Sequence, residues 1–325
     1  MNKINTPILK IKNLKCFFYT ERGVVKALNG VNLFLEENKN LGIIGETGCG
    51  KSLTVKSILR LLPSKTAEIV EGEILFKGKD LLRLPEKELR KIRGKEIAMI
   101  FQDPTSSLNP TMRVGKQVIE TIRLHQHLNF SEARELMFST LELVGLPAPH
   151  RISQLYPFEL SGGMQQRIMI SIGLSCKPFI LIADEPTTNL DVTTQAQILE
   201  LFKKLQKEIH FSMIFISHDF GVISDICHYV AVMYAGTVVE IASIDTIVDN
   251  NKHPYTVGLF NAVPKVGKNR KKLLGVIPGI LPDFINLPSG CFFSPRCKQA
   301  IPLCSSQEPK LREVETGHFV SCHLF

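Results

Sequence analysis

The chain has 325 residues, of which 44% are hydrophobic, and it carries a formal net charge of +8. This length exceeds that of a typical single core, so we expect two or three folded units. No apolar run approaches the ~20 residues that a membrane-spanning helix needs, and residues 1–12 lack the apolar core of a secretory signal. The composition therefore argues against an integral membrane protein or a secreted protein and predicts a cytosolic one.

Predicted strands and helices alternate along the chain. Residues 9–18 and 31–35 alternate apolar and polar side chains, as half-buried strands do. Short apolar runs, typical of buried strands, occupy residues 41–44, 97–101, 179–183, 212–217 and 229–233. Apolar residues recur at helical spacing in residues 52–62 and 114–145. This order predicts an α/β fold with a mostly parallel sheet.

Two departures from that alternation suggest domain boundaries. The helical spacing around residues 103–165 predicts a helical subdomain inserted into the core. After about residue 248 the chain becomes rich in proline, glycine and cysteine, which predicts a small irregular C-terminal appendage. We therefore expect a nucleotide-binding domain at residues 1–247 and a separate C-terminal region at 248–325. A basic run at 265–272 suits a solvated linker or, alternatively, a contact with lipid headgroups or acidic partner loops.

A glycine-rich loop lies between a predicted strand and a predicted helix. It has the pattern G-x-x-x-x-G-K-S and consists of Gly45, Glu46, Thr47, Gly48, Cys49, Gly50, Lys51 and Ser52. Its glycines let the backbone wrap phosphates, its lysine neutralises the outer phosphate charge, and its serine hydroxyl suits Mg²⁺. The loop predicts that the chain binds a nucleoside triphosphate. Cys49 lies close to a helix N-terminus, which favours a reactive thiolate; the alternative is a shielded thiol.

Polar side chains follow three of the predicted strands. Asp184 and Glu185 come directly after residues 179–183, at the sheet edge where ligands of α/β proteins bind. Asp184 suits Mg²⁺, and Glu185 suits a general base for the attacking water. Gln102 follows residues 97–101, where its amide can touch Mg²⁺ or the water. His218 follows residues 212–217, and a lone histidine in such a place is more often structural.

A second glycine motif lies about a hundred residues after the first. Residues 160–166 read L-S-G-G-M-Q-Q, and Ser161, Gly162 and Gly163 precede a predicted helix, where backbone N–H groups form an anion site. Together with residues 45–52, 102, 184–185 and 218, this motif resembles the ATP-binding subunits of ABC transporters. That resemblance covers residues 9–245 and implies a P-loop NTPase fold of the ABC ATPase type.

The resemblance assigns further roles. It implies a head-to-tail dimer in which Ser161, Gly162 and Gly163 complete the ATP site of the opposing subunit. Asp191 would couple the two ATP sites, and His218 would contact the γ-phosphate. Glu185, Gln102 and His218 would be catalytic, with Ser52, Gln102 and Asp184 around Mg²⁺. Phe18 or Tyr19 would stack on the adenine, since an aromatic face binds a base without reading it closely.

Four further stretches resemble the oligopeptide/dipeptide (and nickel) importer branch. They are Q-D-P-T-S-S-L-N-P at 102–110, H-P-Y-T at 253–256, I-P-G at 277–279 and G-C-F-F-S-P-R-C at 290–297. The resemblance implies a peripheral subunit on the cytoplasmic face of the membrane. Its partners would be a second ATPase, two permease subunits and, indirectly, an extracytoplasmic binding protein, with no nucleic acid. A nickel or metal-chelate importer stays open, as does a non-transport ABC ATPase acting on DNA or ribosomes.

The tail contains four cysteines, Cys291, Cys297, Cys304 and Cys322, spaced C-x5-C-x6-C-x17-C. Four thiolates in a short segment can bind zinc or an iron–sulfur cluster, and no C-x2-C pair typical of structural zinc sites occurs. Some members of the resembled branch hold a [4Fe-4S] cluster in this region, so the resemblance favours that cofactor. Zinc and free thiols stay open as alternatives.

Overall fold

The computed structural model describes residues 7–63, 65–188, 190–262 and 277–325. Asn189 and the basic run at 265–272 lie outside these ranges. The described chain divides into two compact units. We call residues 7–34, 41–82 and 227–325 the phosphate-loop unit, because it contains residues 45–52. We call residues 35–40 and 83–226 the signature unit, because it contains residues 160–166.

The first part of the phosphate-loop unit is mostly β-structure. Its elements are β1 Leu9–Thr20, β2 Gly23–Leu35, β3 Asn40–Ile44, α1 Lys51–Ile58, β4 Ala67–Phe76 and β5 Lys79–Asp80. Strands β1, β2, β4 and β5 form a sheet in the order β2-β1-β4-β5. In β1 the side chains of Leu9 and Ile11 are buried while Lys10 and Lys12 are exposed, as the alternating sequence predicts.

The signature unit follows in the sequence and is mostly helical. Its elements are α2 Glu86–Ile92, β6 Ile97–Ile100, α3 Pro104–Ser107, α4 Val114–Gln126, α5 Phe130–Leu143, α6 Pro149–Ile152, a 3₁₀ turn Pro157–Glu159, α7 Gly162–Leu174, β7 Ile180–Asp184, α8 Val192–Ile209, β8 Ser212–Ile216 and α9 Phe220–Ile226. Strand β7 pairs in parallel with β6 and with β8. All five residues of β7 and of β8 are buried, which is the pattern of a parallel sheet covered on both faces.

The phosphate-loop unit resumes after residue 226. It continues with β9 Tyr229–Tyr234, β10 Thr237–Ser243, α10 Ile244–Asp249, α11 Pro254–Asn261, a 3₁₀ turn Ser294–Arg296, α12 Leu303–Ser306, β11 Arg312–Glu315 and β12 His318–Val320. Strand β3 pairs in parallel with β9, which pairs antiparallel with β10. The tail then adds β12 to the other edge of β10, and β11 to β12. The tail therefore contains two strands that the sequence did not predict.

Some predicted boundaries differ from those of the structure. The helix predicted at 52–62 ends at Ile58, because Arg60 adopts a left-handed backbone with φ of 52°. In the described part of the chain, no helix has the length and apolarity needed to cross a membrane.

Candidate functional site

The phosphate loop joins β3 to α1 within the phosphate-loop unit. Gly45, Gly48 and Gly50 all have positive φ, at 153°, 85° and 107°. A Cβ on Gly45 would lie 2.2 Å from the Met233 carbonyl oxygen, so no larger residue fits there. Lys51 Nζ donates to the backbone oxygens of Gly45 and Glu46 at 2.9 and 3.2 Å. The loop therefore curls around its own lysine at the start of α1, as a phosphate cradle requires.

Cys49 lies in the interior of the phosphate-loop unit. Its side chain is buried, and a Cβ on Gly45 would come within 2.7 Å of the Cys49 Sγ atom. Burial raises the pKa of Cys49 to about 11, which outweighs the opposing effect of the neighbouring Lys51. The expectation of a reactive thiolate is therefore wrong, and Cys49 is a shielded thiol.

Three predicted catalytic residues come together in the signature unit. Gln102 Nε2 donates to Glu185 Oε2 at 2.8 Å, and His218 Nε2 contacts Glu185 Oε1. Thr188 Oγ1 also donates to Glu185 Oε2, at 3.2 Å. The Glu185 side chain is 6% exposed, against 42% for His218. The structure thus surrounds one buried carboxylate with an amide, a hydroxyl and an imidazole.

The backbone fixes where that carboxylate points. Asp184 is the last residue of β7, and Glu185 follows with φ of 51°, a left-handed conformation that is uncommon outside glycine. Its N–H donates to the Ile216 carbonyl oxygen at 3.1 Å, which ties the turn to β8. Such strained positions cluster at functional sites. The Asp184 side chain is buried at the same strand end.

The second glycine motif forms the start of α7. Ser161 is the N-cap, and its hydroxyl accepts the Met164 N–H at 3.4 Å. A Cβ on Gly163 would lie 2.7 Å from Thr194 Cγ2 in α8, so the glycine permits close packing of the two helices. Asp191 caps α8 and accepts the N–H groups of Thr193 and Thr194, both at 3.0 Å. Its hydrogen bonds to Thr194 lower the pKa of Asp191.

Gln165 is a contact residue that the sequence reasoning missed. Its Oε1 accepts the Thr105 hydroxyl at 3.3 Å, and its Nε2 donates to the Pro157 carbonyl oxygen at 2.8 Å. Thr105 lies three residues after Gln102, so Gln165 joins that loop to the start of α7. Its place in L-S-G-G-M-Q-Q was visible in the sequence, but its partners lie 60 and 8 residues away.

The aromatic candidates lie at the end of β1 in the phosphate-loop unit. Phe18 is half-buried, and Tyr19 is exposed. A hydrogen bond to Glu68 raises the pKa of Tyr19. Neither residue is fully buried, so both keep ring surface available for stacking.

The four tail cysteines are buried or half-buried. The Cys291 thiol interacts electrostatically with Cys304, Cys322 and Cys297, and the Cys291 N–H donates to the Cys304 carbonyl oxygen at 2.8 Å. Burial raises the pKa of Cys291 to about 11 and also raises those of Cys297 and Cys322. Among the described residues, no group of three or more His, Cys, Asp or Glu side chains is arranged to hold a metal ion. The predicted iron–sulfur cluster and its zinc alternative therefore gain no support from this geometry.

Family models match two regions of the chain. Residues 28–188 match the model described as ABC transporter, and residues 239–304 match the one described as oligopeptide/dipeptide transporter, C-terminal region. The second match covers β10, α10, α11 and part of the cysteine-rich tail. The region that contains the phosphate loop and the first part of the tail therefore each match a family model.

Curated relatives align over nearly the whole chain. The oligopeptide transport ATP-binding protein OppD of Bacillus subtilis is 47% identical over 98% of this chain and 89% of its own length. The dipeptide transport ATP-binding protein DppD of the same organism is 46% identical over 98% and 94%. A probable peptide ABC transporter ATP-binding protein of Sinorhizobium fredii, y4tR, is 46% identical over 97% and 94%.

Solved structures share the fold. The ATP-binding cassette MJ0796, solved as a dimer bound to ADP and Pi, has a TM-score of 0.65 at 28% identity, over 73% of this chain and 98% of its own. The cbiO1 protein of Clostridium perfringens has a TM-score of 0.63 at 26% identity, over 75% and 92%. This likeness confirms the predicted α/β P-loop fold. Taken with the full-length relatives, it shows that the chain belongs to the ATP-binding proteins of the ABC transporter family, in the oligopeptide/dipeptide branch.

Proposed function

We propose that the chain is the ATP-hydrolysing subunit of an ABC importer and that it energises peptide uptake across the cytoplasmic membrane. The cargo class is supported by relatives named for oligopeptide and dipeptide transport, which align over 98% of this chain. The observation that carries hydrolysis is the contact of Gln102 and His218 with the buried carboxylate of Glu185.

Glu185 acts as the general base in this proposal. Its carboxylate takes the proton of the water that attacks the γ-phosphate, while the Gln102 amide and the His218 imidazole hold the carboxylate in one orientation. His218 also contacts the γ-phosphate. The left-handed backbone at Glu185 supports the assignment, because strained backbone conformations of this kind cluster at functional sites.

The phosphate loop binds the triphosphate of ATP. The loop of Gly45, Glu46, Thr47, Gly48, Cys49 and Gly50 wraps the phosphates, together with Lys51. The N–H groups of Glu46 and Cys49 hold the loop itself, because they donate to the Tyr255 hydroxyl and the Glu46 carbonyl oxygen. Ser52, Gln102 and Asp184 offer the oxygen donors that Mg²⁺ prefers, so they suit the ion that accompanies ATP. Mg²⁺ supplies charge neutralisation on the phosphates when bound. Phe18 stacks on the adenine.

A second ATPase subunit completes each ATP site. Ser161, Gly162 and Gly163 lie at the exposed start of a 13-residue helix, where N–H groups and the helix dipole favour an anion. We assign them to the γ-phosphate of ATP in the opposing subunit, with Asp191 linking the two sites. The dimeric form of the similar cassette MJ0796 supports this arrangement.

Two permease subunits receive the conformational change that ATP binding and hydrolysis produce in the ATPase dimer. The loop after Gln102 and the helices of residues 103–165 are the proposed docking elements, on the cytoplasmic face of the membrane. Gln165 supports this coupling, because it hydrogen-bonds both Thr105 of that loop and Pro157 next to the signature. An extracytoplasmic binding protein acts through the permeases, and nucleic acid plays no part.

Reconstitution tests this function. The chain is purified from native membranes with its bound subunits and placed in liposomes, and ATP hydrolysis is measured with dipeptides, longer peptides or nickel complexes on the receptor side. We expect permeases to co-purify and peptides to stimulate hydrolysis. If nickel complexes stimulate ATP hydrolysis and peptides do not, the cargo is a nickel complex and not a peptide. Co-purification of ribosomes or DNA without permeases would overturn transport altogether.

We also propose, separately, that the tail thiols hold an iron–sulfur cluster. The support is the sequence: Cys291, Cys297, Cys304 and Cys322 are four thiols in one short segment, and four thiols are the donor set of a [4Fe-4S] cluster. Anaerobic purification should give brown protein with about four irons per chain, the stoichiometry of that cluster. Colourless protein containing zinc, or containing no metal, would refute it.

A further inference from the structure

Arg296 of the tail forms an ion pair with Glu46 of the phosphate loop, 250 residues away in the sequence. Arg296 Nη1 lies 3.0 Å from Glu46 Oε1 and 3.1 Å from Oε2. The Arg296 side chain is 7% exposed and that of Glu46 28%. Because one partner is almost fully buried, solvent and salt screen this pair less than they screen a surface pair.

The Arg296 guanidinium is held in one orientation by the tail and by the end of β9. Its Nε donates to the Pro278 carbonyl oxygen at 2.7 Å, and its Nη1 donates to the Tyr234 hydroxyl at 3.4 Å. The guanidinium carbon also lies 5.6 Å from the centre of the Tyr234 ring. A planar guanidinium fixed in this way loses little freedom when it binds a carboxylate.

The backbone of Glu46 is held by the same part of the unit. Its N–H donates to the Tyr255 hydroxyl at 3.0 Å. Tyr255 is fully buried, with ring centres 4.7 Å from Tyr234 and 5.5 Å from Phe293. The side chain and the main chain of one phosphate-loop residue are therefore both anchored by residues after 227.

The ion pair between Arg296 and Glu46 affects ATP binding because Glu46 is negatively charged. Glu46 places a carboxylate inside a loop that binds a polyphosphate, and like charges at short range repel. Arg296 neutralises that carboxylate through the ion pair. Lys51, whose Nζ donates to the Gly45 and Glu46 carbonyl oxygens, then keeps its positive charge for the phosphates.

We infer that Arg296 is a positioning residue for ATP: through its ion pair with Glu46, the tail sets the affinity of the phosphate loop for the nucleotide. The inference rests on the proposed function, since it requires ATP at residues 45–52. It assigns the tail a role in nucleotide binding that is separate from any role of its cysteines. Loss of the pair should weaken binding of ATP more than it slows hydrolysis of bound ATP.

The test is a double-mutant cycle on the purified full-length chain, with the Kd for Mg-ATP measured by calorimetry. Arg296→Gln should raise Kd about tenfold, the lower range for close charge pairs, because Glu46 is left unneutralised. Adding Glu46→Gln to that variant should recover most of the lost affinity. Lys298→Gln, which removes an exposed positive charge two residues away, is the matched control and should change Kd less than about twofold.

Two further measurements separate electrostatic positioning from loss of folding. Thermal unfolding is recorded for each variant, and Arg296→Lys, which keeps the charge but loses the fork, should raise Kd less than Arg296→Gln does. In the assembled transporter, KM for ATP should rise in Arg296→Gln with kcat nearly constant.

The outcomes are distinguishable. Equal Kd values for wild type and Arg296→Gln, or no recovery in the double variant, would overturn this inference and leave the proposed function intact. Failure of the wild-type chain to bind Mg-ATP would instead overturn the proposed function.

Discussion

Glu240 and His318 form a hydrogen-bonded pair inside the phosphate-loop unit, with 2.7 Å between Glu240 Oε1 and His318 Nε2. Their side chains are 0% and 2% exposed. Glu240 also accepts the N–H groups of Lys252 at 2.7 Å and His253 at 3.0 Å. One carboxylate on β10 therefore joins the tail strand β12 to the segment that leads into α11.

Removing this carboxylate should strongly destabilise the protein. Glu240→Ala leaves His318 and the N–H groups of Lys252 and His253 without their acceptor. Breaking a buried pair in this way costs about 3–5 kcal/mol. Urea denaturation measures the loss. The control is Glu73→Ala, which breaks an exposed pair with Lys12 and should cost less than about 1 kcal/mol. Similar losses for the two variants would contradict the importance of the buried pair.

His253 should make the stability depend on pH. Burial lowers the pKa of His253 to about 3, whereas an unfolded histidine titrates near 6.5. Because the folded pKa is depressed, the stabilisation is complete above pH 6.5 and is lost as the pH falls towards 3. The loss is about 1.4 kcal/mol per pH unit, or about 2 kcal/mol between pH 6.5 and 5.

A single variant isolates this effect. His253 Nδ1 accepts the Tyr255 N–H at 3.1 Å as the cap of α11, and asparagine can cap in the same way without titrating. The free energy of unfolding of His253→Asn, measured by urea denaturation from pH 7 to 5, should therefore fall less steeply than that of the wild type. Parallel curves would show that His253 does not titrate in this range.

Glu185→Gln should retain ATP binding and lose most hydrolysis. The amide cannot take a proton from water, and removing a general base typically slows turnover ~100- to 10,000-fold. Steady-state ATPase activity of the assembled transporter is the measurement, with Kd for Mg-ATP measured in parallel. Glu200→Gln, the same change at an exposed position on α8, is the control. Turnover near the wild-type rate would refute the role of Glu185.

Gly163 and Gly162 should differ in their tolerance of alanine. A Cβ on Gly163 meets Thr194 Cγ2 at 2.7 Å, whereas one on Gly162 meets Leu190 at an ordinary 3.7 Å. Overpacking of this kind costs about 1–3 kcal/mol, so Gly163→Ala should be less stable than Gly162→Ala by that amount. Adding Thr194→Ser removes the clashing methyl group but keeps the hydroxyl that bonds Asp191. Stability is measured by thermal unfolding. If Thr194→Ser does not restore the stability lost in Gly163→Ala, the clash with the Thr194 methyl group is not the cause of the loss.

Local sequence patterns were enough to predict the fold class and where the motif residues lie. The phosphate loop, the acidic pair after β7 and the start of α7 each occupy a short stretch whose residue types determine its backbone. The sequence placed Gln102, Glu185 and His218 each after a predicted strand but did not predict their mutual contact. That contact is explained by parallel strands bringing their ends to one edge of the sheet.

Contacts between distant residues could not be predicted from local patterns. Strands β11 and β12 are short, and β12 pairs with β10, a partner about eighty residues earlier, while β11 pairs only with β12. Nothing in the sequence near Glu240 marks it as a buried carboxylate, because its partner His318 lies 78 residues away. The error at Cys49 has a similar cause: proximity to a helix N-terminus is local, but burial depends on the packing of the whole unit.

The pairing of β12 with β10 also protects a sheet edge. Glu240 and Ile241 pair with Val320 and Phe319, and the Val239 carbonyl oxygen accepts the Ser321 N–H at 2.8 Å. A chain cut near residue 247 would leave these backbone groups unpaired along a strand rich in valine and isoleucine. Exposed edges of this kind recruit strands from other molecules. We therefore expect a trimmed nucleotide-binding cassette to self-associate, with the tail acting as its built-in protection against aggregation.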